Sequence, residues 1–251
     1  MAAPYTVMKG VVLRQTETRE ADKILTLLTA DKGKIPVIAR GVRRRSCKYA
    51  ASAQPLAYSE WTLYQKGDWY YANEASSIEQ FSGLQTDLSR LSLGFYFAEL
   101  TETVASAGET LPELVSHLLN GLYALDKLKK PELLAKAAFE FRTLCLAGYE
   151  PLADSCAFCG CADPAQPMLD VVQGVVRCRE CGAGESGHSL PLCPGSLAAL
   201  RHILYGDPKR LYSFRLAGEE LNAFARLCQR YVLGQLERGF ATLDFYQSLF
   251  P

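Results

Sequence analysis

Two tight cysteine doublets constrain this chain more than any other feature. Cys156-Ala157-Phe158-Cys159 is followed by Cys178-Arg179-Glu180-Cys181, with eighteen residues between the doublets. Two residues between cysteines let one turn aim both thiolates at a common point. Two such turns complete a tetrahedron of sulfur around zinc, with Zn–S near ~2.3 Å. Gly160 and Gly182 follow the doublets and free the backbone to turn away. The stretch from Met168 to Val176 reads as a small hairpin, so the whole segment resembles a zinc ribbon. Cys161, Cys193 and His188 lie near enough to compete as ligands, but the symmetric set Cys156, Cys159, Cys178 and Cys181 is favoured. A redox role would need only one doublet. Four thiolates saturate a zinc ion and leave no position for water, which points to a structural metal. The chain has nine cysteines, an odd number, and no pattern of an exported disulfide scaffold.

The metal loop needs a larger fold around it. Hydrophobic residues make up 49% and charged residues 22%, a balance suited to a globular protein and not to a disordered one. No apolar run approaches the ~20 residues of a membrane-spanning helix. Residues 1–10 lack a charged segment followed by an apolar core, so a secretory signal is not expected there and a cytoplasmic location is.

Residues 5–80 read as β structure. Strands are expected at Val7–Leu13, Ile24–Thr29, Ile35–Ala39, Ala57–Gln65 and from Trp69. The polar tetrad Asp31-Lys32-Gly33-Lys34 forms a hairpin turn. Pro36 cannot donate to a ladder and belongs at an edge or strand start. Five strands in about 80 residues suit an OB-type barrel. The period changes near Leu84, where Leu88, Leu91, Phe95, Ala98 and Leu100 recur at helical spacing. Further helices are expected over Leu111–Leu128, from Pro131 to a cap at Gly148, after Pro194, and over Gly218–Leu236. The fold class is thus α+β: a five-stranded OB-type barrel (residues 1–80), then a helical domain (81–251) with an inserted four-cysteine loop at about 150–193.

The formal charge is zero overall, but residues 1–50 carry eleven Lys/Arg against four Asp/Glu. Much of that excess lies in Arg40-Gly41-Val42-Arg43-Arg44-Arg45-Ser46-Cys47-Lys48, just after the third strand. Guanidinium groups match phosphate geometry and bind it bidentately. Tyr49, Tyr58, Trp61, Tyr64, Trp69, Tyr70 and Tyr71 are neighbours in sequence. A cationic track beside aromatic rings suits a single nucleic-acid strand. About half of these rings are expected in the barrel core, where strand aromatics usually lie. The bland alternative is a solvated basic loop, or one that docks an acidic partner.

The run Glu20-Ala21-Asp22-Lys23-Ile24-Leu25-Thr26-Leu27-Leu28-Thr29, then Gly33-Lys34-Ile35, then Ala39-Arg40-Gly41-Val42-Arg43-Arg44, resembles the N-terminal signature of the RecO family of bacterial DNA repair proteins. The order of barrel, helices and four-cysteine insert agrees as well. The resemblance implies a protein without catalytic chemistry. It implies binding of single- and double-stranded DNA, annealing of complementary strands, and action with RecR and the single-strand-binding protein SSB to load RecA in recombinational repair (the RecF pathway). It also implies a cytoplasmic, nucleoid-associated location. The basic positions carried over are Lys23, Lys34, Arg40, Arg43 and Arg44, with Arg45 and Lys48 beyond the matching run. The family holds the SSB C-terminal tail in its helical domain, and Lys127, Lys129, Lys130, Lys136 or Arg142 would flank such a groove here. Two competing readings remain. One is a zinc-ribbon factor binding RNA or protein in transcription or translation. The other is a zinc- or thiol-dependent enzyme, for which the sequence offers no nucleophile–base pair and no open metal position.

Overall fold

The computed structural model describes residues 5–18, 20–128, 130–182 and 188–250. The chain divides into two compact units, Met1–Leu128 with Phe240–Pro251, and Lys129–Gly239.

The first unit is built on five strands: β1 (Tyr5–Thr18), β2 (Asp22–Thr29), β3 (Gly33–Ala39), β4 (Tyr58–Lys66) and β5 (Trp69–Glu79). They close into a barrel in the order β1-β2-β3-β5-β4, with β4 returning to β1. All neighbours are antiparallel except β3 and β5, which meet in parallel at Val37–Tyr70 and Ile38–Tyr71. This is OB-type connectivity. Pro36 faces Thr26 of β2, one residue before the β3–β5 pairing starts, so its missing N–H interrupts no second ladder. Alternating residues fill the interior, among them Met8, Val12, Leu25, Leu27, Val37, Trp61, Leu63 and Tyr70.

The β2–β3 turn leans on the segment that follows the first helix. Lys34 N–H donates to the Ser106 carbonyl at 3.1 Å, and Gly108 N–H to that of Lys32 at 3.0 Å. Gly33 permits this approach: it has φ 58°, and a Cβ there would collide with the Ser106 carbonyl oxygen.

Helix α1 (Leu88–Val104) starts at Asp87, whose carboxylate accepts from Ser89 and Arg90 N–H at 3.0 and 3.2 Å. Its buried face differs from the one its sequence period suggests. Leu88 is 58% exposed, while Leu93, Tyr96, Phe97 and Leu100 are buried. The reason is that α1 packs against β1, α2 (Pro112–Lys127) and α6 (Ala241–Ser248), so it is covered on several sides and has no single stripe. Helix α6, not expected from the sequence, is tied down by Glu99, whose carboxylate accepts from Thr242 N–H at 3.1 Å and from its hydroxyl.

The second unit contains α3 (Glu132–Leu146), a three-stranded sheet of β6 (Pro167–Asp170), β7 (Val175–Cys178) and β8 (Ser189–Pro191), then α4 (Pro194–Tyr205) and α5 (Gly218–Leu236). Its sheet order is β7-β6-β8. The expected hairpin is β6–β7, and β8 is an unforeseen third strand. Helix α3 packs on α5, where Phe141 stacks on Tyr231 at 4.9 Å. No helix among the described residues is long and apolar enough to cross a membrane.

Replacing Gly33 by Ala should cost about 1–3 kcal/mol, since the residue would strain at positive φ and push Ser106 away. Denaturant titration of the two proteins measures this, and an unchanged midpoint would contradict it.

Candidate nucleic-acid interface and metal centre

The basic loop lies between β3 and β4 and is anchored at several points. Val42 and Ala53 are buried in the barrel core. Gly41 N–H donates to the Asp22 carboxylate at 2.7 Å, and Arg43 N–H to the Ala21 carbonyl at 3.0 Å. The Tyr49 hydroxyl donates to the Arg40 carbonyl at 2.9 Å, and its ring meets Trp61 edge-on. Burial raises the Tyr49 phenol to about 12, with Cys47 and Asp22 adding to the effect, so it remains a donor at neutral pH. A loop held this way presents its cations in a defined arrangement.

Those cations border an open cleft of about 470 Å³. Arg40, Arg44 and Lys48 line it together with Tyr49 and Asn73, and Glu74 is the one carboxylate among the lining residues. Arg40, Arg43, Arg44, Arg45 and Lys48 are all exposed. Among the described residues only Arg43 of these five has an ion pair, with Glu17 at 3.0 Å, and both partners remain largely open to water. Such a pair is worth ~1 kcal/mol at most and yields easily to a phosphate.

The other sequence-derived basic positions are less available. Lys23 is half-buried and donates to the Gln15 side chain at 2.7 Å. Lys34 donates to the Glu102 carbonyl at 2.8 Å and lies near the start of β3, the strand that Arg40 follows, roughly 20 Å away at ~3.3 Å per residue. The aromatics separate by strand alternation. Trp61 and Tyr70 are buried; Tyr49, Tyr58, Tyr64 and Tyr71 are half-buried; Trp69 is 39% exposed.

The basic positions assigned to the helices do not form one set. Lys127 belongs to the first unit and pairs with Asp126 at 2.7 Å. Lys129 lies outside the described residues. Lys130 and Arg142 are half-buried in the second unit, and Arg142 donates to the Leu204 carbonyl at 3.3 Å. Lys136 needs correction: its side chain is 3% exposed, paired with Glu140 at 2.8 Å and bonded to Gln229 at 3.0 Å. The i,i+4 spacing of Lys136 and Glu140 reads in sequence as a solvated helix pair. Tertiary packing of α3 on α5 buries it instead, so it offers nothing to an acidic ligand.

In the second unit the thiols of Cys156, Cys159, Cys178 and Cys181 lie within 4.8 Å of one another. Cys159 and Cys178 Sγ are 3.9 Å apart. A tetrahedron with Zn–S of ~2.3 Å has sulfur–sulfur edges of ~3.8 Å, whereas a disulfide would be near ~2.05 Å. The first doublet is shaped by Gly160, at φ 71°, whose N–H donates to the Cys156 carbonyl at 2.9 Å. Cys178 N–H points at Cys156 Sγ from 3.3 Å. Burial resists ionisation of Cys156, but backbone N–H groups of Cys159, Cys178 and Phe158 outweigh it and bring the thiol down to about 6. Cys181 moves the other way, up to about 12, first because its thiol is hydrogen-bonded to Cys159 and then through burial. One thiolate therefore forms readily, while burial and the neighbouring thiols raise Cys178 and Cys181, an effect that a bound cation would offset. That donor set fits a soft, tetrahedral dication.

Cys161, Cys193 and His188 are not in this group. The Cys161 thiol donates to the Asp163 carbonyl, and Cys193 Sγ caps α4 by accepting from Ser196 N–H at 3.3 Å. Sequence reasoning missed Arg201 on α4. Its guanidinium donates to the carbonyls of Ala153, Asp154 and Ala162 and pairs with Asp163, bracing the first doublet's loop. It also missed buried Asp170 and Arg177, which share half-buried Ser189 in a polar network within β6, β7 and β8. Neither group has a motif, because each joins residues distant in sequence.

Burial would raise the Asp170 carboxyl, but N–H donors from Gln173 and Val172 and the Arg177 charge more than offset it, so its pKa is lowered. Its stabilisation of the β6–β7 turn is thus present above the ordinary carboxylate range and lost as pH falls through the depressed folded value. Amide exchange at Val172 and Gln173 should accelerate over that acid window in the wild-type protein. In Asp170→Asn it should be fast and pH-independent apart from intrinsic chemistry.

Comparison with known proteins agrees with these features. Residues 1–81 match the family described as Recombination protein O N terminal, and residues 85–244 match Recombination protein O C terminal. "DNA repair protein RecO" of Acetivibrio thermocellus is 31% identical, covering 98% of this chain and 97% of its own. Proteins of the same name from Heliobacterium modesticaldum and Desulforudis audaxviator are 33% and 31% identical, each over 96% of this chain and over 89% and 96% of their own. With matches that span the barrel, the helices and the cysteine insert alike, this chain belongs to the RecO family of DNA repair proteins.

Proposed function

We propose that this protein is a DNA-binding recombination mediator. It binds single- and double-stranded DNA, anneals complementary strands, and with RecR helps to load RecA onto SSB-coated DNA. The observation that carries this reading is the anchored β3–β4 loop: four exposed cations, Arg40, Arg44, Arg45 and Lys48, without carboxylate partners among the described residues, of which Arg40, Arg44 and Lys48 line an open cleft on an OB-type barrel. The mechanism is electrostatic. Two strands repel because each carries a phosphate charge per nucleotide. Cations held on a rigid barrel neutralise part of that charge and release counterions, so strands can approach and pair. Nothing in this process needs bond chemistry in the protein. Helical-domain contacts to the acidic SSB tail fall to Lys130 and Arg142 of the second unit, with Lys136 excluded by burial.

The four-cysteine cluster holds one structural zinc ion. The metal supplies no open coordination position; it fixes the two doublets and the sheet attached to them. Cys156, Cys159, Cys178 and Cys181 are the ligands, and Arg201 braces the first doublet from α4.

Elemental analysis of the untagged protein should find about one zinc per chain. Because the ligands bind as thiolates, zinc should be lost as pH falls and retained as it rises. A metal-free protein with an intact β6–β8 sheet would contradict this assignment.

The function is tested by annealing SSB-coated complementary oligonucleotides. The wild-type protein should accelerate pairing. The Arg44→Ala/Arg45→Ala/Lys48→Ala protein should fail. Its slope of log affinity against log salt should flatten by about 0.7 for each phosphate of a single strand that it no longer neutralises. An unchanged slope in that variant would move the DNA site elsewhere.

A further inference from the structure

Beside the basic cleft the barrel carries an aromatic column on its outer face. Register places Tyr5 opposite Tyr64, and Tyr64 opposite Tyr71, so three adjacent strands, β1, β4 and β5, each contribute one ring to a single row. The rings of Tyr64 and Tyr71 are stacked with centroids 5.0 Å apart and planes at 11°. Tyr5 meets Tyr64 edge-on at 6.0 Å and is 59% exposed. At the other end the Arg40 guanidinium lies 4.9 Å from the centre of the Tyr71 ring. Arg40 also lines the cleft, so column and cleft are continuous.

This row is not part of the barrel core. Its strand neighbours Leu63 and Tyr70 point inward and are buried. Flat apolar rings left partly open beside unpaired cations fit a ligand that is itself flat, apolar and anionic by turns. Nucleobases joined by phosphates have that chemistry, and only a single strand has bases free to stack. An acidic peptide would use the cations but leave the rings uncovered. A duplex would present phosphates to the cleft and keep its bases paired.

We infer that Tyr5, Tyr64 and Tyr71 form a base-stacking surface for single-stranded DNA whose phosphates lie in the cleft of Arg40, Arg44 and Lys48. The inference rests on the DNA-binding function proposed above and specifies which part of the barrel reads a single strand as distinct from a duplex. Arg40 has two positions in this scheme. Without DNA its planar guanidinium occupies the Tyr71 face; with DNA a base takes that face and the guanidinium moves to the adjacent phosphate.

The test compares three probes: oligo(dT), a strand of equal length in which every nucleotide is an abasic sugar phosphate, and a blunt duplex. The abasic strand keeps the charge and removes the rings. Wild-type protein should bind oligo(dT) at least about tenfold more tightly than the abasic strand, given ~1–3 kcal/mol per stacked base. Tyr5→Leu/Tyr64→Leu/Tyr71→Leu keeps apolar volume on the strands and should bind the two single strands equally, with duplex affinity and salt slope unchanged. Arg40→Ala should keep the preference for oligo(dT) but show a shallower salt slope. Equal wild-type binding of oligo(dT) and abasic strand would overturn the stacking surface while leaving the electrostatic function intact, and needs no variant to fold. Retained preference in the triple tyrosine variant would overturn it too. Wild-type protein that binds no probe would remove the function itself and this inference with it.

Discussion

The short parallel pairing of β3 with β5 is the constraint on which the proposed DNA-binding part of this protein depends. Two register pairs, Val37–Tyr70 and Ile38–Tyr71, convert an open sheet into a closed barrel. Closure removes sheet edges that would otherwise invite pairing with another chain. It also decides what stands beside what. Arg40 leaves the end of β3 next to Tyr71 because Ile38 and Tyr71 are partners. Without closure the cationic loop after β3 and Tyr71 of β5 would belong to opposite edges of a sheet.

Anchoring then turns a charged loop into a surface. A free loop with four arginines would lose side-chain and backbone entropy on binding each phosphate. Here part of that cost is met during folding. Val42 and Ala53 pack into the core, Asp22 holds Gly41 N–H, and Tyr49 holds the Arg40 carbonyl. The guanidinium heads themselves stay solvated, apart from Arg40 on its ring and Arg43 beside Glu17. An anchored backbone carrying hydrated charges suits the strand annealing proposed above, in which strands of any sequence are bound and then released as they pair.

The second unit solves a different problem. Residues 150–193 contain little that could form an apolar core alone, and their strands are three or four residues long. Thiol clustering, the Asp170–Arg177–Ser189 network and the Arg201 brace take the place of that core. The shared theme of the two units is that polar groups gain geometric definition from neighbours distant in sequence. Lys136 illustrates the opposite outcome of the same rule, since its neighbours use up its charge.

Much of this is legible in the sequence because local patterns determine it. Alternation and the Asp31–Lys34 turn mark the barrel strands, and the cysteine doublets mark the four thiols that the fold brings together, since two-residue spacing dictates the turn. Helix α5 runs over the expected residues because its apolar stripe faces one side. Sequence patterns fail where burial comes from several directions. The face of α1 is not readable because packing on three elements leaves no stripe, and β8 and α6 are too short to carry a period. Availability of charge is equally invisible: Arg44 and Lys136 are both cations by residue type, yet one lines a cleft and the other is sealed between helices. Residue type and spacing determined which groups this protein can use; only the tertiary structure decided which remain open to a ligand, because exposure and partners are set by contacts across the chain.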